Sequence, residues 1–459
     1  MQGEKKKLNM FNIYCLGVGG AIGSGIFVML GMGIGLTGHS IFLTVLLGCL
    51  YMLLAYLYHP VMSSMFVLPG GDYDMKVMMF GPTITGISAI FTYVGGFALA
   101  MYAMSIVDYA SMIFPALAAY RKLIAVLIIV LAFASTIKGS KFVATVTSVM
   151  TLVLVTSIVL FVAMGLPKVQ PGYFDGDTFF LGGAGGFIMA ISVMSFACQG
   201  TTMGPVSMME VTKKPRRTIP IAILFITLTV GLIYGMMGIV ASGVLPVQQV
   251  ADQNLTVVAQ SIFPHWLYVV FTLCGAVFAI ATSLMGTVAM LRYPCYRVAE
   301  DGWMPAVFKK TDKNGYPYVV NLFFFIISVL PILLGFSLDA VVSLVMIPNM
   351  LMSVYLNLSL IRVVKKYPEQ WKSSVLHMPA PIFNVLCVVA AVCAGVVALT
   401  LLAMLEPVEM VVCVAVLLLC AGLALIRLKT GAVSKTELLA KREEIVARAM
   451  SATRAADAE

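Results

Sequence analysis

Apolar positions along this chain come in long unbroken runs rather than in alternation or in narrow stripes. The runs fall at about 8–37, 40–67, 84–114, 122–137, 142–165, 180–205, 218–243, 265–293, 317–336, 338–361, 380–404 and 407–427. A helix of about 20 apolar residues spans the hydrocarbon layer and satisfies its own backbone there, so each run predicts a crossing. Polar residues gather in the short connections and after Leu428, where Thr436 to Met450 predicts a short helix. The pattern predicts an all-α polytopic membrane protein with twelve transmembrane helices. The run after Lys5, Lys6 and Lys7 is too long for a signal peptide and lacks a small-residue cleavage site, so no segment is expected to be removed.

Within the first run stands Gly17-Val18-Gly19-Gly20-Ala21-Ile22-Gly23-Ser24-Gly25-Ile26-Phe27. Glycine costs a helix interior about 1 kcal/mol against alanine, so Gly23-Ser24-Gly25 is the expected place for the helix to break. A break frees backbone groups. N–H groups at the start of the half beginning at Ser24 would suit a carboxylate, with Gly25 allowing close approach. Carbonyls at Ala21 and Ile22 would suit an ammonium group or a cation. Alternatively, Gly19 and Gly23 make a small-residue packing face.

A second glycine-rich start, Gly182-Gly183-Ala184-Gly185-Gly186, leads to Ser195-Phe196-Ala197-Cys198-Gln199-Gly200-Thr201-Thr202 about 175 residues later. Runs two and seven, and three and eight, repeat nearly the same offset. Paired interrupted spans at corresponding positions point to inverted repeats with the binding site between them. Expected around that site are Phe196, whose carbonyl would meet the ammonium, and Cys198 and Gln199, although Gln199 could equally face a neighbouring helix. In the third run, small residues beside aromatics, Tyr93, Gly95, Gly96, Phe97 and Tyr102, would leave room for a ligand and wall it. Thr282 and Ser283 in the eighth run are adjacent hydroxyls: with the Ala21 carbonyl they could hold a monovalent cation, or they could bond back to their own helix. Asp108, the one acid well inside a run, reads either as functional or as a paired residue of the outer vestibule.

The first glycine string resembles, at every fixed position, the first-helix signature of the amino acid–polyamine–organocation permeases, Gly-x-Gly-x-x-x-Gly-Ser-Gly-Ile-Phe. Leu68-Pro69-Gly70-Gly71-Asp72-Tyr73 is similar to the element with which that family enters its first inner loop. Glu210 with Lys213-Lys214-Pro215-Arg216-Arg217-Thr218-Ile219-Pro220, and Ala299-Glu300-Asp301-Gly302-Trp303-Met304-Pro305, resemble two later inner loops. The resemblance covers about residues 8 to 365. It implies a leucine-transporter-like five-plus-five inverted repeat with discontinuous helices 1 and 6. A core at 8–361, made of repeats 8–165 and 180–361, would then carry helices 11 and 12 at 380–427, a cytoplasmic start at 1–7 and a cytoplasmic tail at 428–459. Two departures matter. Thr202 stands where many relatives place an acid, and the lysine that some relatives carry midway along helix five falls near Leu154. Gly139-Ser140-Lys141 fixes that count, and the run beyond it holds Thr145, Thr147, Ser148, Thr151, Thr156 and Ser157 but no ionisable group.

Composition changes the picture little. Of 459 residues 61% are hydrophobic and 11% charged, and mean hydropathy is +1.01, which no ordinary soluble domain matches. The net charge of +9 could suggest nucleic acid, but with the N-terminus inside, 26 of the 29 Lys and Arg fall on one side and only Arg121, Lys122 and Lys168 on the other. That is the positive-inside pattern, placing both termini in the cytoplasm of a multi-pass cell-membrane protein with no nucleic-acid partner. Nine cysteines lie in or beside apolar runs, giving no disulfide framework. The four histidines are scattered, without the spacing of a metal site. Gly33-x-Gly35-x-x-Gly38 follows no strand and is not a dinucleotide loop.

The expected function is secondary active transport of amino acids, neutral ones in particular because no acid lines the pocket. The expected cofactor is none, with Na+ or H+ as coupling ion. The alternatives are transport of a polyamine or other small amine and, in a different class, a membrane-embedded enzyme or receptor. An enzyme would need a nucleophile with a base or a metal cluster, which the scattered histidines do not suggest. The amino acid, the coupling mode and the oligomeric state are not written in these patterns.

Overall fold

A computed structural model describes residues 8–68, 70–137, 140–174, 176, 178–313 and 316–457, without the side chains of 82, 135–148, 289, 290, 292, 293 and 457. Lys5 to Lys7, Pro69, Gly139 and Gly315, and the side chains of Lys141, Thr145, Thr147 and Ser148, lie outside it. Among the described residues the chain is helical throughout, with one isolated bridge between Leu8 and Thr212.

The longer helices are α1 (Met10–Ala21), α2 (Ser24–Thr37), α3 (Ile41–Ala55), α4 (Tyr58–Met65), α5 (Gly71–Met79), α6 (Pro82–Val94), α7 (Ala98–Ser111), α8 (Arg121–Ile137) and α9 (Ser140–Gly165). There follow α10 (Gly183–Cys198), α11 (Gly200–Ser207), α12 (Pro215–Gly243), α13 (Phe278–Glu300), α14 (Tyr318–Leu334), α15 (Leu338–Lys366), α16 (Ala380–Ala403), α17 (Pro407–Lys429) and α18 (Lys435–Asp457). A π-helical stretch, Phe271–Val277, runs directly into α13.

Ten stretches among the described residues are long and apolar enough to cross a membrane. The difference from twelve apolar runs has two causes. The first run is cut between α1 and α2, and its second half joins α3 through a tight turn at Gly38–Ser40 into one stretch, Ser24–Ala55. The ninth, α14, has only 17 residues. Local signals set the ends. Ser337 accepts from Ala340 N at the start of α15, which carries Asp339 in its first turn and Lys365 and Lys366 in its last, complementing the helix dipole. The tenth run, where Pro348 would interrupt, continues as one helix. Losing the proline N–H frees one carbonyl of the preceding turn, and Asn349 Nδ2 caps the next, donating to Val345 O at 3.0 Å.

The interrupted helices lie at the centre. α2 runs beside α10, and α1 beside α11 and α12, so the second half of one interrupted span packs against the first half of the other. Around them α3 packs on α12 and α10, α9 on α13, and α15 on α16.

At one end of the bundle the connections knit together. Leu8 N donates to Val211 O and Lys213 N to Leu8 O, at 2.7 and 2.9 Å. Across this end lies α18. Lys441 pairs with Asp301, which also accepts from the Tyr73 hydroxyl. Arg448 reaches the buried Asp74 at 3.2 Å, and Thr453 Oγ1 accepts from Val67 N at 2.9 Å. Asp74 also accepts from Gly70 N at 2.8 Å. The tail thus joins the loop before α5 to the loop after α13. Arg448→Ala leaves the buried Asp74 carboxylate without its cation, and the expected loss is about 1–2 kcal/mol, moderated by the half-exposed Arg448. Thermal unfolding of the detergent-solubilised protein checks it, with Arg448→Lys recovering most of the loss.

Candidate substrate site at the two helix breaks

α1 ends at Ala21 and α2 begins at Ser24, so the break falls at Ile22 and Gly23. Their backbones are extended, with φ and ψ of −76° and 106°, and −143° and −156°. Two neighbours take up freed groups. Ser283 Oγ accepts from Ser24 N at 3.1 Å, and the Tyr234 hydroxyl donates to Ala21 O at 3.2 Å. A little further along α2, Tyr109 donates to Phe27 O at 2.6 Å.

The second interruption is slighter. Gln199 N gives the last bond of α10, to Ser195 O at 3.0 Å, and a new ladder begins at Gly200, although Gln199 keeps right-handed helical dihedrals. The first N–H groups of α11 and the last carbonyls of α10, including that of Phe196, consequently have no partner within their own helices. Thr201 Oγ1, at the start of α11, is buried and without a hydrogen-bond partner.

Glycines bring the two breaks to one level. A Cβ at Gly25 would stand 2.6 Å from Ala197 Cα, and one at Gly200 would stand 3.2 Å from Ala21 Cα. The close approach that Gly25 permits is therefore to the backbone of α10, not to open space. A Cβ at Gly23 would meet Ser283 Oγ at 2.9 Å. The Tyr102 hydroxyl interacts with the side chains of Ser24 and Thr287, and its ring lies 6.2 Å from that of Phe196.

Of the residues expected at the site, Ala21, Ile22, Ser24, Gly25 and Phe196 come together here, with Ser283 reaching Ser24. Four others point elsewhere. Gln199 Oε1 accepts from the Tyr56 hydroxyl at 3.1 Å, the neighbouring-helix alternative. Cys198 faces α3, its sulfur 3.8 Å from Val45 O. Tyr93 donates to Cys295 O at 2.7 Å and stacks on Phe324 at 5.6 Å, while Gly96 packs against the same ring, so both line the α14 side. Thr282 and Ser283 both donate to Ala279 O, at 2.8 and 3.2 Å, the own-helix alternative. With Ala21 O receiving Tyr234 and Ser283 Oγ receiving Ser24 N–H, these oxygens are turned toward donors rather than grouped around a cation. Asp108 is paired bidentately with Arg121, at 2.6 and 2.7 Å.

The family comparison decides what this arrangement belongs to. A family model described as amino acid permease matches residues 8–426. The chain belongs to the amino acid permease family. This permease is 26% identical over 392 residues to the branched-chain amino acid permease BcaP of Bacillus subtilis, covering 80% of its own length and 82% of the relative's. It is 25% identical over 317 residues to an uncharacterized protein, MJ0609, of Methanocaldococcus jannaschii, covering 68% and 72%. The family places the permease among membrane transporters of amino acids, not enzymes.

Sequence reading overlooked Tyr234, a hydroxyl in the middle of an apolar run, and did not single out Tyr102 from its aromatic neighbours. An isolated tyrosine deep in a membrane segment is the signal that would have drawn attention to Tyr234, since its hydroxyl needs a partner there. At Gly25 a methyl group forces the helices apart, and Gly25→Ala is expected to cost about 1–3 kcal/mol and to weaken substrate binding. Gly20→Ala, where a Cβ meets nothing within 4 Å, leaves both unchanged. Thermal unfolding with and without amino acid compares the two.

Proposed function

We propose that this permease carries neutral amino acids with apolar side chains across the cell membrane by alternating access. In this proposal the α1/α2 and α10/α11 spans are the discontinuous helices of a twelve-span, five-plus-five repeat with both termini in the cytoplasm. The observation that carries it is the meeting of the two breaks at one level. A helix start at Ser24 offers N–H groups and positive dipole to a carboxylate. Carbonyls at Ala21, Ile22 and Phe196 offer acceptors to the ammonium. A small zwitterion carries both of the ends that such a site would take. Phe196 and Tyr102 supply an apolar wall beside it, Thr202 brings no charge for a cationic side chain, and the Bacillus relative is named for branched-chain amino acids. In this reading Ser283 and Tyr234, which bond Ser24 N and Ala21 O, are displaced by the two ends of the ligand.

Uptake into proteoliposomes is the test. Leucine, isoleucine and valine are expected to compete with one another and to be rejected on N-acetylation, while arginine, lysine and putrescine compete at least tenfold more weakly. Best competition by a cationic amino acid or a polyamine overturns the reading. Because the Ala21 and Ser283 oxygens accept from Tyr234 and Ser24 while Thr282 donates to its own helix, substrate affinity is expected to be equal in sodium and in choline. A sodium-dependent rise lost in Ser283→Ala would establish a cation site there instead.

A further inference from the structure

A line of buried polar side chains runs from Thr202, at the start of α11, to the molecular surface. His59, in α4, is 2% exposed. Its Nδ1 lies 2.9 Å from Thr202 Oγ1, and its Nε2 lies 3.0 Å from Asp72 Oδ1. Lys76 Nζ closes the line 2.7 Å from Asp72 Oδ2. Side-chain exposure rises along it, from 3% at His59 to 15% at Asp72 and 25% at Lys76. The line is thus most exposed at Lys76 and closed at the imidazole, and at the inner end stands Thr202, two residues past the glycine that packs on Ala21.

The surroundings are fixed from every side. From α5 come Asp72 and Lys76, and from α11 Thr202. From the α3–α4 corner the Tyr56 ring stacks on the imidazole at 5.5 Å, and Tyr58 lies 4.3 Å away with its hydroxyl 3.4 Å from Asp72. Asn357 of α15 clamps the corner, accepting from Tyr58 N at 3.2 Å and donating to Ala55 O at 2.8 Å. Burial alone would raise the Asp72 carboxyl, but Lys76 and the hydrogen bond from His59 outweigh it and hold it well below the usual carboxylate range. Asp72 is thus the anionic partner that the His59 Nε2 side faces, with Lys76 on its other oxygen.

We propose that His59 is a proton-binding site, open to the cytoplasmic face, whose occupancy holds α11 against α5 and so slows opening of the permease to the cytoplasm. Nδ1, the ring nitrogen that does not face Asp72, is the atom that takes the proton. In neutral His59 it accepts the Thr202 hydroxyl proton. When it takes a proton from the cytoplasmic water it donates to Thr202 Oγ1 instead, and the hydroxyl turns to another acceptor. No covalent bond to carbon changes and one proton is bound. The charged imidazolium lies between an anion and a hydroxyl, and bonds of that kind are roughly twice as strong as neutral ones. Acid on this face therefore tightens the hold on α11, and loss of the proton loosens it.

The inference rests on the transport reading, so the test uses two readouts. Hydrogen–deuterium exchange of residues 200–207 in the purified full-length protein, corrected for intrinsic rates, is followed from pH 5.5 to 8.5, and leucine counterflow is measured in proteoliposomes with equal pH on both sides. In the wild type, protection of α11 is expected to fall several-fold as pH rises, and counterflow to rise with it. His59→Gln is expected to flatten both curves. Thr202→Val, which leaves the His59–Asp72 pair intact, is expected to remove most of the step and decides the matter should His59→Gln fail to fold. The same pH step in either variant as in the wild type overturns the proposal. Absence of counterflow with the exchange step intact would overturn the transport reading and leave the proton site standing.

Discussion

Everything at the centre of this molecule follows from one constraint: a backbone that leaves the helix inside an apolar layer must find partners for its freed groups. Each unsatisfied group there costs several kcal/mol, so the Ile22–Gly23 break can exist only where neighbours claim what it releases. Ser283 claims the Ser24 N–H and Tyr234 claims the Ala21 carbonyl. These come from two different helices, α13 and α12, so the break fixes how both must sit.

The glycines have a second task beside loosening the helix. Gly25 against Ala197 and Gly200 against Ala21 let two interrupted spans touch backbone to backbone. Freed carbonyls of one span and freed N–H groups of the other then share a small volume, concentrating opposite partial charges without an ionisable residue.

Much of this was legible in the chain, and the gaps have physical causes. Long apolar runs gave the helices because membrane crossing demands them, and the glycine string gave the first break to within two residues. Side-chain direction was not legible. Tyr93 and Tyr102 lie nine positions apart on the same run, and nothing in composition says which is level with the break. Cys198 and Gln199 flank the second interruption but turn toward α3 and Tyr56, because a helical step of about 100° aims neighbours at different walls. α15 passes through Pro348, since a proline removes only one donor from the ladder and Asn349 caps the neighbouring carbonyl. His59 looked solitary because its partners stand 13 and 143 positions away. Only the fold brings them into reach.

The tail helix has a bearing on synthesis. Asp74 and Arg448 are 374 residues apart, and Tyr73 and Asp301 are 228 apart. At about 5–20 residues per second the ribosome needs roughly 20–75 s to make the first gap good. For that interval the early loop carries a carboxylate built to be buried with nothing yet to bury it against. The last helix made therefore completes contacts that the first loops began, and a chain cut short before Arg448 would keep its membrane helices while leaving one end unfastened.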